Sequence, residues 1–248
     1  MNLILIDTAD VKPDGTARIA GPQADHIRNV LKSAAGHELR VGVIDGPTGT
    51  ATITAVTDTF IDLACRLEAE APPRPAVDLL LALPRPKVMR RLWAQLAALG
   101  VGRIILTNAE RVERDYFDTH IITPDTYRPL LIEGLQQARD TRLPLVSIHK
   151  RFKVLVEDEL DQLCPQRRRL VSHPGEIGEI GTGNYFGEMI PDLNSGRTLL
   201  AVGPEGGWNA FELGLLEARG FQRISLGPRP LRTDTACIAL LTLVHRGS

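Results

Sequence analysis

The stretch Ala71-Pro72-Pro73-Arg74-Pro75 divides this chain more sharply than any other, because three prolines in four residues can continue neither a helix nor a central strand. Before it the pattern is one of short strands. Apolar runs occupy residues 3–7 and 39–45, threonine alternates with apolar residues over 50–56, and a further strand is expected at 60–67 after a turn at 57–59. Gly46-Pro47-Thr48-Gly49 makes a tight connection between strands, and residues 24–35 carry a helical pattern with Ile27, Val30 and Leu31 on one side. After the prolines, strands are expected at 77–83, 103–107, 145–149, 169–172, 199–202 and 224–226. Helices are expected between them at 87–99, 125–138, 154–163, after Asn209, and at 235–244. Alternation of this kind predicts an α/β fold with a mostly parallel sheet and helices on both faces. Two domains follow, a small β-rich one at 1–71 and a larger one at 76–248.

Local signals sharpen several elements. The 87–99 helix places Val88, Met89, Leu92, Trp93 and Leu96 on one face and is closed by Gly100. Asn209 with Glu212 three residues on forms a capping-box pattern. The last helix is apolar nearly all round, so it is expected in the core or against another subunit. Residues 174–196 hold six glycines among few apolar residues and read as a mobile loop.

Hydrophobic residues make up 43% of the 248 and charged residues 24%, enough for a proper core. The formal net charge of −1 argues against a generic polyanion binder. Between 85 and 114, however, Arg85, Lys87, Arg90, Arg91, Arg103, Arg111 and Arg114 face only Glu110 and Glu113. That excess suits either a local basic surface or a solvated helix face. Cys65, Cys164 and Cys237 are far apart and not in metal-ligand spacing, so a reduced, cytoplasmic protein with no metal is expected. No apolar run approaches bilayer length, and MNLILIDTAD reads as a first strand rather than a signal peptide.

Ligands of open parallel sheets sit beyond the C-terminal ends of the strands. Two unusual turns are expected there. One is Gly203-Pro204-Glu205-Gly206-Gly207-Trp208, and the other runs from Gly227-Pro228-Arg229-Pro230 through Leu231-Arg232-Thr233-Asp234-Thr235. Glycines let main-chain groups approach a ligand closely while prolines hold the turns rigid. A P-loop, a dinucleotide fingerprint, a G-x-S-x-G elbow and a zinc signature are all missing from the sequence.

In these turns the chain resembles the ribosomal RNA small-subunit methyltransferase E family, a branch of the SPOUT methyltransferases. The segment LLAVGPEGGWNAFEL…GFQRISLGPRPLRTDTACIALLTL, 199–243, is similar to the family's G-P-E-G-G…E…L-G-x-R-x-L-R-x-E/D-T-A. Shorter matches lie at 25–46, at 98–112 and around Gln136-Gln137 with Arg142-Leu143-Pro144. The resemblance implies a PUA-like N-terminal barrel that helps hold RNA and a C-terminal domain tied in a deep trefoil knot. It implies S-adenosylmethionine as cofactor, a homodimer formed through the knotted domain, and methylation of N3 of a uridine in 16S ribosomal RNA, free or in the small subunit.

Uridine N3 carries a proton and is a poor nucleophile until it leaves, so the reaction needs a base or cations that stabilise the uracil anion. Arg232 and Arg229 are the expected holders of that anion or of a phosphate; their alternative is an ion pair to Asp234 or Glu205. Glu205 suits the cationic sulfonium, the orientation of its own loop, or the cap of the following helix. Asp234 anchors Arg232 or, preferably, caps the last helix. Leu199, Val202, Gly203, Gly207, Leu226, Gly227 and Leu231 are the expected cofactor lining. Arg111 matches a family motif arginine and is expected to reach RNA across the dimer, with His26 and Arg28 as weaker RNA contacts. The chain departs from the family at Ala94, Gln95 and Ala98, where a glutamine-lysine pair and a glutamate are usual. It departs again at Gln136, Gln137 and Asp140 in place of E-Q-x-x-R, and at Pro230 before Leu231-Arg232. These changes spare the cofactor turns and fall on the substrate side.

Overall fold

The computed structural model describes residues 3–29, 34–165, 168–173, 196–227 and 229–245, with the side chain of His26 excepted. Backbone contacts group the chain into two compact units, Met1–Arg74 with Ile132–Leu143, and Pro75–Leu131 with Pro144–Ser248.

The first unit is a five-stranded mixed sheet in the order β1-β3-β4-β5-β2. Its strands are β1 (Ile4–Ile6), β2 (Thr16–Ala20), β3 (Glu38–Val43), β4 (Thr48–Val56) and β5 (Phe60–Leu67). β1 runs parallel to β3 and the remaining pairs are antiparallel. Period-two alternation sends Ala51 and Ile53 of β4 inward and leaves Thr52 and Thr54 exposed. Helix α1 (Gly21–Asn29) contributes Ile27 to a core shared with Ile19, Leu39, Val41 and Ile61. Strand β2 was not expected. Its TARIA sequence has one strongly apolar residue, Ile19, and it is held by pairing with β5. Residues 132–143, beyond the prolines, also group with this unit. Thr141 explains why: its hydroxyl donates to the Gly46 carbonyl at 2.6 Å, and its own carbonyl accepts the Asp45 amide at 2.8 Å.

The second unit is a six-stranded sheet, β11-β9-β10-β6-β7-β8, and every neighbouring pair is parallel. The strands are β6 (Val77–Ala82), β7 (Val101–Thr107), β8 (Leu145–His149), β9 (Arg168–Ser172), β10 (Thr198–Val202) and β11 (Phe221–Ile224). All residues of β6 and β10 are buried, as a parallel strand covered on both faces requires. Helix α2 (Pro86–Ala98) buries the five residues expected of it, starts on Pro86 at a position where no amide is needed, and stops before Gly100 at φ 75°. Helix α3 (Pro124–Ala138) follows β7. The expected 154–163 helix is present as one continuous run made of α4 (Phe152–Val154), a π turn (Leu155–Glu159) and α5 (Leu160–Leu163). Helices α6 (Ala210–Ala218) and α7 (Thr233–His245) complete the chain order.

One expectation needs correction here. The last strand lies at 221–224 rather than 224–226: Phe221 and Ile224 are its buried pair, Ser225 continues it only as a bridge, and the chain bends away at Leu226. Within the single chain the last helix buries Cys237, Leu240, Leu241 and Val244 on one face and leaves Ile238 and Leu243 half-buried. Burial pushes the Cys237 thiol up to about 12. The glycine-rich stretch, apart from Gly196, lies outside the described residues. No described helix is long and apolar enough to cross a membrane, and no metal-binding cluster occurs among the described residues.

Candidate active site

Strands β11, β9 and β10 are parallel neighbours, so their C-terminal ends open on the same edge of the sheet. The residues that follow them line one cavity of about 280 Å³, small for a ligand pocket but open to solvent. Ser172 and His173 come from the end of β9, Val202 to Gly207 from the end of β10, and Leu226, Gly227, Arg229, Pro230 and Leu231 from the segment after β11. The start of α7 closes the cavity with Thr233 and Ala236.

Each turn has a local reason for its shape. In the first, the Gly207 amide donates to the Pro204 carbonyl at 2.8 Å and Gly207 sits at φ 73°, a conformation that costs any other L-residue energy. Gly203 is required by close approach, since a Cβ there would lie 3.0 Å from Nε1 of Trp208. Trp208 is buried and packs on Phe152, with ring centroids 5.2 Å apart, so the indole cannot give way. In the second turn Gly227 is at φ 105°, and its amide donates to the Ser225 hydroxyl at 3.0 Å.

Most of the expected cofactor lining is brought together: Val202, Gly203, Gly207, Leu226, Gly227 and Leu231 all face the cavity. Leu199 does not. It is fully buried near the N-terminal end of β10, away from the edge where the cavity lies, paired in register with Asp78 and Arg169. Glu205 and Arg229 line the cavity, and Glu205 is ion-paired to Arg85 at 3.5 Å. Glu205 does not cap the next helix. Asn209 does, accepting the Glu212 amide at 2.8 Å while Glu212 accepts the Asn209 amide at 2.9 Å.

Arg232 lies outside the lining, 66% exposed, with Asp234 at 3.7 Å. Asp234 is the second residue of α7 rather than its cap, and its firmer partner is Arg91 at 3.0 Å. Burial alone would raise its carboxyl. The Arg91 guanidinium, the Thr235 amide and Arg232 outweigh that and hold it below the usual carboxylate range. Arg111 donates to the Gly206 carbonyl, and its Cδ lies 2.8 Å from where a Gly206 Cβ would be. In this chain it therefore braces the first turn. Arg28 belongs to the first unit and pairs with Asp25 at 3.2 Å. The side chain of His26 lies outside the described residues.

The residue that sequence reasoning missed is Thr233. Its hydroxyl is buried at the cavity, 3% exposed, and has no hydrogen-bond partner among the described residues. Only its place between Arg232 and Asp234 hinted at a role. A buried polar group left open beside a cavity takes its hydrogen bond from whatever occupies that cavity, water or ligand. The glycine cradle, the main-chain groups of the two turns and this hydroxyl suit a ligand read chiefly through its hydrogen-bonding edge and apolar body.

A family model described as RNA methyltransferase domain matches residues 71–245. The chain is 28% identical over 249 residues to the ribosomal RNA small subunit methyltransferase E of Treponema pallidum, covering 98% of this chain and 90% of that protein. It is 24% identical over 239 residues to the ribosomal RNA small subunit methyltransferase E 1 of Borreliella burgdorferi, covering 96% of this chain and 95% of that one. Among solved structures, the ribosomal RNA small subunit methyltransferase E of Neisseria gonorrhoeae, bound to S-adenosyl methionine, superposes with a TM-score of 0.74 at 19% identity. That alignment covers 99% of this chain and 97% of the other.

Proposed function

The chain belongs to the RNA methyltransferase domain family, and from that premise we propose that it transfers a methyl group from S-adenosylmethionine to N3 of a uridine in 16S ribosomal RNA. The observation that carries this reading is the cavity at the ends of β9, β10 and β11, built from two glycine-bearing turns with an open Thr233 hydroxyl beside them. Its residues fit the cofactor. Val202, Leu226 and Leu231 offer apolar contact, Gly203, Gly207 and Gly227 expose main-chain groups, and Thr233 offers a hydroxyl. When bound, S-adenosylmethionine supplies an electrophilic methyl on a sulfonium.

The remaining work falls to the protein's own groups. As the N3–carbon bond forms and the sulfur–carbon bond breaks, the N3 proton passes to a base or to solvent. Arg229 at the cavity and Arg232 beside it stabilise the negative charge that this exposes on the uracil. Glu205, lining the cavity, places a carboxylate where a sulfonium is favoured. Holding the two reactants in line accounts for much of the rate.

The same reading includes four further features. A trefoil knot in the C-terminal segment is the first, and the order that places β10 between β9 and β6, both earlier in the chain, is compatible with it. The mixed five-stranded sheet of the first unit supports a PUA-like domain that holds RNA, with Arg28 and His26 as its contacts. The half-buried Ile238 and Leu243 of α7 support a homodimer formed through the C-terminal, knotted domain. A cytoplasmic site of action, with the small ribosomal subunit or its RNA as partner, completes it. Calorimetric titration with S-adenosylmethionine tests the cofactor half: one binding event per chain is expected. Absence of binding would leave a non-catalytic RNA-binding relative as the better description.

A further inference from the structure

Glu212 does more than a capping residue has to. A capping box needs only one carboxylate oxygen, which accepts the amide of the cap. Here the residue is 4% exposed. Oε2 accepts the Asn209 amide at 2.9 Å, as a cap requires. Oε1 accepts the Glu110 amide at 2.7 Å, from the loop that follows β7. The next residue on that loop, Arg111, donates to the Gly206 carbonyl and lays its Cδ against Gly206. Ala109 and Val112 on either side are buried, so the loop is seated rather than free.

We propose that Glu212 is a positioning residue: by holding the Glu110 amide it sets Arg111 onto the Gly206 carbonyl and so fixes the turn that lines the cofactor cavity. The carboxylate is needed because both oxygens accept main-chain N–H groups. Glutamine offers one acceptor and turns an NH₂ donor toward the other amide, leaving a buried donor unmet. The inference rests on the cofactor reading of the cavity only for its effect on affinity, and its structural half can be tested without any ligand.

Three variants separate this role from simple capping. Asn209→Ala removes the cap but keeps the Glu212–Glu110 bond. Glu212→Gln weakens that bond, and Arg111→Ala removes the brace it positions. In amide hydrogen exchange, Glu212→Gln is expected to lose protection at Glu110 and, together with it, at Gly207. Asn209→Ala is expected to lose it only at the start of α6. In calorimetry with S-adenosylmethionine, Glu212→Gln and Arg111→Ala should each weaken binding about tenfold, with the double variant no worse than the weaker single. Asn209→Ala should stay within about twofold of the parent. Unchanged exchange at Glu110 and Gly207 in Glu212→Gln, or equal affinity losses in Asn209→Ala and Glu212→Gln, would overturn the positioning role. If the parent chain itself does not bind S-adenosylmethionine, the proposed function fails, while the exchange result still decides the role of Glu212.

Discussion

Arg232→Ala is expected to slow methyl transfer by about 10²- to 10³-fold while leaving S-adenosylmethionine affinity within about twofold. The separation follows from where the residue lies. It sits outside the residues that line the cavity, two thirds exposed, and its charge is only loosely engaged by Asp234 at 3.7 Å. The Asp234 carboxylate is already held at 3.0 Å by Arg91. The Arg232 guanidinium is therefore available to a substrate, and the charge it would meet is the one that develops on uracil as N3 loses its proton. An interaction that strengthens only as charge develops lowers the turnover rate rather than the affinity for the other reactant. Single-turnover assays beside calorimetry read the two effects apart. A collapse of cofactor affinity in this variant would move Arg232 into the cofactor site.

Gly227→Val is expected to have the opposite signature, weakening S-adenosylmethionine binding by about 10- to 100-fold. Gly227 occupies φ 105°, where a β-branched residue is strained by about 1–3 kcal/mol. Relief of that strain swings the turn toward negative φ and carries Leu226 and Leu231 away from the cavity they line. Gly214→Ala serves as control, because a Cβ at that position in α6 meets nothing within 4 Å. It should bind cofactor as the parent does. Equal affinities for Gly227→Val and the parent would show that the second turn takes no part in binding.

What could be read in the sequence was what depends on neighbours along the chain. The α2 face from Val88 to Leu96 follows from helical spacing, and the Asn209 cap from a three-residue rule; both are present. The two glycine turns were legible for the same reason, since their chemistry is local. What depends on distant partners was not legible. The sheet order that places β10 between β9 and β6 is set by pairing across the fold, and the second bond of Glu212 spans 102 residues. Leu199 was misplaced because periodicity marks a strand without saying how far along it the ligand edge lies. Strand β2 was missed because pairing with β5, not its own apolar content, holds it. Thr233 was overlooked between two charged residues, although burial makes its hydroxyl the more telling polar group at the cavity.

The central claim, transfer of a methyl group to one uridine of the small-subunit RNA, meets its most direct test in reverse transcription. A methyl on N3 blocks Watson–Crick pairing and halts the polymerase. Small subunits from a strain lacking this protein should lack one stop seen in the parent. Incubating them with the purified protein and S-adenosylmethionine should restore that stop, and omitting the cofactor should not. An identical pattern of stops in the parent and the deletion strain would contradict the account.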